Sequence, residues 1–110
     1  MAISHAASGE LIDVRPLGVN FREKASMTLV RAEHLEVFRL VLPAGKTTPE
    51  HKAAGAITIQ CLEGLVEFES HGRKQLFHPG SMVYLADAEP HTVTALKDSS
   101  LLITVLLRRV

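Results

Sequence analysis

From residue 25 onward the chain alternates apolar and polar positions with a period of two. Its short β-branched and aliphatic runs are broken by Gly, Pro, Asn, Asp and Ser. That period belongs to strands with one buried face. It predicts strands at 26–31, 35–42, 56–62, 65–70, 73–78, 81–85, 91–95 and 101–108, with 11–14 as a weaker ninth. The joints "RAEHL", "EG" (63–64), "SHGR" (70–73), "HPGS" (78–81) and "LKDSS" (96–100) carry residues that favour tight turns. No amphipathic helix longer than two turns competes with this pattern, and no repeat or low-complexity segment is present. About eight or nine antiparallel strands at this spacing predict an all-β closed barrel or jelly roll. Residues 1–10 are expected to be peripheral, 11–110 to form one barrel domain, and 15–24 to be a connecting loop.

Alternation also assigns faces. Ile57, Ile59 and Cys61 share one side of their strand and form its core face, with Thr58, Gln60 and Leu62 opposite. His91, Val93 and Ala95 share a side opposite Thr92 and Thr94, so the His91 imidazole is aimed into the barrel. Tyr84 alternates with Met82 and is expected to pack in the core. His34, His71 and His78 fall at predicted turns and read as solvated side chains.

Composition narrows the function. A chain of 110 residues holds a single core, so any site lies inside it or on its rim. The hydrophobic fraction is 46% and the formal charge is zero, which argues against disorder and against a basic nucleic-acid surface. The apolar run "LLITVLL" is far short of the ~20 residues that span a bilayer, so no membrane partner is expected. The single Cys61 cannot form an internal disulfide and reads as a small buried hydrophobe. The first residues lack a basic segment followed by a long apolar one, and the cytoplasm is the expected compartment.

Two stretches carry a family resemblance. "PAGKTTPEHKAAGAITIQCLEG" has five residues between Gly45 and His51 and ends on Gly64. "HPGSMVYLADAEPHTV" leads from a Pro-Gly turn to His91. From about residue 40 to 107 the chain resembles the cupin superfamily, the small double-stranded β-helix barrels. The resemblance implies that fold and, in metal-bearing relatives, a divalent ion held by three His and one Glu. Here the slot of the second His falls on Ala53 and that of the Glu on Ile57. Ala86, Ala88 and Ala95 stand where the second motif usually has Pro, Gly and Asn. A divalent transition metal is thus the candidate cofactor, with His51 and His91 as an incomplete ligand set. Two imidazoles without a carboxylate offset little of the ion's charge in an apolar pocket. Cys61 lies four strand residues from Ile57, roughly 13 Å at about 3.3 Å per residue, too deep to substitute.

Three functions follow from different classes. The first is a small-molecule-binding cupin of undetermined ligand, its pocket inside the barrel around His51 and His91, floored by Ile57, Ile59 and Val93, with Tyr84 as a further contact. The second is an enzyme, either a metal-dependent dioxygenase or isomerase, or a metal-free proton-transfer enzyme resembling the deoxysugar epimerases, with a His base and Tyr84 as acid. The third is a scaffold. The strand "SLLITVLLRRV" puts Leu101, Ile103, Val105 and Leu107 on one face and Leu102 and Leu106 on the other, and a homodimer is the expected cover for its outer side.

Overall fold

The computed structural model describes residues 5–23, 25–48, 55–86 and 89–107. Eight strands follow one another along the chain: β1 (Met27–Arg31), β2 (Leu35–Leu42), β3 (Ile57–Glu63), β4 (Val66–Ser70), β5 (Arg73–Phe77), β6 (Met82–Leu85), β7 (Thr92–Ala95) and β8 (Ser99–Leu106). Each coincides with a predicted strand to within two residues. The ninth does not form: residues 11–14 lie outside any strand, and Leu11 is 98% exposed. Ile12 is exposed as well. The predicted connecting loop instead contains a 3-10 helix, Gly18–Glu23.

The strands form two antiparallel sheets, β1-β2-β8-β3-β6 and β5-β4-β7. β8 is central, pairing β2 from Leu35↔Leu106 to Leu42↔Ser99 and β3 on its other side. Residues 45–48 run along the second flank of β7: the Gly45 N–H donates to Ala95 O, the Ala95 N–H to Lys46 O and the Thr48 N–H to Val93 O, at 2.8–2.9 Å.

The core lies between the sheets and follows the alternation. Ile57, Ile59 and Cys61 of β3 are buried, as are Val93 and Ala95 of β7 and Leu101 and Ile103 of β8. Phe68 and Phe77 stack at 5.2 Å between ring centroids in the three-stranded sheet. Stacked aromatic pairs add about 0.5–1.5 kcal/mol beyond the area they bury.

Two turns fix registers that matter for the site. His71 and Gly72 have positive φ (55° and 70°), the geometry of a two-residue hairpin loop, and this sets Ser70 opposite Arg73 and Phe68 opposite Gln75. Gly64, at φ 93°, lies so close to the β7–β8 turn that a Cβ there would sit 2.2 Å from Ser99 Oγ and 2.4 Å from Asp98 O. Only glycine fits.

Candidate functional site

The inward face of the three-stranded sheet changes character along its length. β4 contributes buried Val66, Phe68 and Ser70. On β5 the same face carries Phe77, then Gln75, then Arg73. Leu76 meanwhile points outward and is 53% exposed, beside Lys74, which pairs with Glu67 at 3.9 Å. The inward positions Arg73 and Gln75 are therefore polar where a barrel wall usually carries apolar side chains, and the outer face carries one exposed leucine.

β5 and β6 are the outer strands of their respective sheets. A pocket of about 380 Å³ lies between them, lined by Phe68, Arg73 and Gln75 from one side and Val83, Tyr84 and Leu85 from the other, with Ser70 and His71 completing it. Phe68 and Leu85 form a buried apolar floor. Side chains of Arg73 and Gln75 reach the pocket without a hydrogen-bond or ion-pair partner among the described residues. His71 is paired with the Glu89 carboxylate, which also accepts the Ala86 N–H at 2.9 Å. Its side chain is 68% exposed, as expected for a turn, and carries this one partner.

The residues singled out from sequence are distributed as follows. His91 is inward and 3% exposed, its Nδ1 3.3 Å from Glu89 O and its ring stacked on Phe68 at 6.0 Å. It lies behind the pocket's aromatic floor. Ile57, Ile59 and Val93 belong to the packed core and do not line the described pocket. Tyr84 does line it, yet it is 66% exposed and not the core residue expected. The reason is register: β6 pairs Leu85 with Ile57 and Val83 with Ile59, so Val83 and Leu85 take the inward face and Tyr84 shares Thr58's. His51 and Ala53 lie outside the described residues.

For a divalent metal, the described part of the ligand frame does not fit. The slot of the anionic ligand holds the aliphatic side chain of Ile57, buried and packed in the core. Cys61 is wholly buried, its thiol directed at Glu63 O at 3.4 Å, and burial pushes its pKa up, away from the thiolate that binds metals. Among the described residues no three His, Cys, Asp or Glu side chains gather closely enough to hold an ion.

A second polar cluster was invisible in the sequence. Glu63 stands at a predicted turn, but its carboxylate accepts N–H bonds from Leu17 (2.8 Å) and Gly18 (3.1 Å) and the Ser100 hydroxyl (2.6 Å). Burial alone would raise its pKa, but these donors together with the Arg39 charge leave it lowered. Arg39, 5% exposed, donates to Arg15 O at 2.9 Å. Together they strap residues 15–18 across the outer face of the five-stranded sheet, next to a cavity of about 530 Å³ lined by Arg15, Leu17, Asn20, Met27 and Arg39. The strap covers part of the outer face that the sequence left bare.

Sequence comparison finds no matching family model and no matching curated protein. Solved structures are nonetheless similar. A cupin superfamily protein from Desulfitobacterium hafniense superposes with a TM-score of 0.77 at 17% identity, covering 94% of this chain and 100% of its own. A conserved protein of unknown function from Streptococcus pyogenes gives 0.74 at 18% identity, with all of both chains covered. A salicylate 1,2-dioxygenase variant from Pseudoaminobacter salicylatoxidans gives 0.69 at 19% identity over 74% of this chain and 25% of that one. Identities this low speak for the fold alone. The chain shares the small β-barrel fold of these cupin structures, an architecture found in enzymes and in proteins of unknown function.

Proposed function

We propose that this protein is a small-molecule-binding cupin whose ligand enters between β5 and β6 and rests on Phe68, with His91 behind that ring and His51 as the second imidazole assigned by the motif. The observation that carries the reading is the pocket itself. Its volume of about 380 Å³ falls in the ~300–1,000 Å³ range of ligand sites, with an apolar floor and a few polar side chains at the rim. A ligand that binds only the folded state raises the melting temperature with concentration. Screening a metabolite panel by thermal shift, then mapping hits by NMR, should give shifts concentrated at Phe68, Val83, Tyr84 and Leu85. Hits that map elsewhere, or a panel without hits, would remove this reading.

A proton-transfer enzyme is the second reading, and one observation favours it: His71, oriented by the Glu89 carboxylate, lines the same pocket as Tyr84. Solvent-deuterium exchange into a bound ligand, lost in His71→Ala, is the expected sign. We further propose a homodimer in the cytoplasm, the dimer supported by the exposed Met82 and Leu106. Sedimentation should then give twice the chain mass, and a monomer at micromolar concentration would exclude it.

A further inference from the structure

The chemistry of the pocket rim specifies more than its size. An inward-facing polar side chain on a barrel strand costs stability unless it is hydrogen-bonded or hydrated. On β5 that position is taken twice, by Arg73 and Gln75, while the apolar Leu76 is turned outward to water. Both are exposed and hydrated, and neither is engaged by another described side chain, so their polar groups are open to a ligand.

Charge around the pocket points one way. Among the described residues lining it there is no carboxylate, whereas Arg73 supplies a cation and Gln75 and Tyr84 supply neutral donors; the Ser70 hydroxyl already donates to Pro90 O at 3.3 Å. The nearby Glu89 is already engaged by His71 and the Ala86 N–H. Lys74, next in sequence to Arg73, is on the outer face beside Glu67. The same pocket is lined from β6 by the aliphatic side chains Val83 and Leu85, and Phe68 lies beside Gln75 in the β4–β5 ladder. One end of a bound molecule thus meets a planar guanidinium with an amide two residues away on the same strand face, and the other end meets hydrocarbon. A guanidinium binds carboxylates through paired N–H bonds, and such charge-assisted bonds are about twice as strong as neutral ones.

We propose that the ligand is a small organic carboxylate, its anionic group held by Arg73 and Gln75 and its apolar body lying against Phe68, Val83 and Leu85. This rests on the pocket being a ligand site and adds the sign and placement of charge within it.

Hexanoate and its neutral isostere hexanamide separate the two ideas when titrated into labelled full-length protein at neutral pH. Hexanoate should shift the Arg73 Nε–H and Gln75 side-chain resonances together with the Val83 and Leu85 methyls, and hexanamide should bind at least about tenfold more weakly. Arg73→Gln should remove that preference while leaving the weak hexanamide shifts at Val83 and Leu85. Arg73→Lys should restore it in part. Arg73 is exposed, so these variants are expected to fold as the wild type does. Equal binding of acid and amide at the pocket methyls, or an acid preference that survives Arg73→Gln, would overturn the charge assignment and leave the pocket reading intact. If neither compound perturbs the pocket residues, both the site and its charge preference fall.

Discussion

The two polar clusters of this barrel are built on opposite principles. On the outer face of the five-stranded sheet, the Glu63 carboxylate accepts three hydrogen bonds and lies near Arg39, all supplied by the chain itself. On the inward face of β5, Arg73 and Gln75 meet a pocket and no described side chain. Polar groups that are saturated internally hold a fold together, whereas polar groups left open beside an apolar floor are available to something else. The comparison therefore predicts that damage at the first cluster is read in stability and damage at the second in binding.

The largest effect is expected at the turn that positions Glu63. Gly64→Ala would force a Cβ into Ser99 and Asp98 at a positive φ, and the two costs together should reach about 3 kcal/mol in urea denaturation. A loss well under 1 kcal/mol would mean that the turn is far more pliable than its contacts indicate.

Glu63→Gln should cost less, on the order of 1–3 kcal/mol, because the Leu17 and Gly18 N–H groups lose an anionic acceptor. The pH dependence has a definite sign. With the folded-state pKa lowered, the Glu63 contribution is complete above the ordinary carboxylate range and is lost as pH falls through that range to the lowered value. Wild type and variant should thus differ at neutral pH and converge in acid. A gap that persists or widens on acidification would show that the charge is not what secures the strap.

The smallest effect is expected at the pocket. Gln75→Leu should leave stability within about 0.5 kcal/mol of wild type, since no internal partner is lost. A loss comparable with that of Glu63→Gln would erase the distinction between the clusters.

The barrel was legible in the sequence because its strands keep a strict period of two between Gly, Pro and Asp punctuation. The inward aim of His91 followed from the same rule. Tyr84 did not, because "MVYL" is apolar at all four positions and alternation alone cannot choose a face; pairing with β3 does. Glu63 gave no local signal, its partners lying 46 and 37 residues away at Leu17 and Ser100. Arg73 and Gln75 were within reach. A two-residue loop at His71–Gly72 fixes the hairpin register, and that register carries Phe68's face onto Gln75.

Cys61 gives the molecule an internal clock. The thiol is the only one in the chain, entirely closed to solvent in the centre of β3 and disfavoured from ionising. A thiol-specific reagent must therefore wait for the barrel to come apart. Its labelling rate measures how often that happens, with no engineered probe.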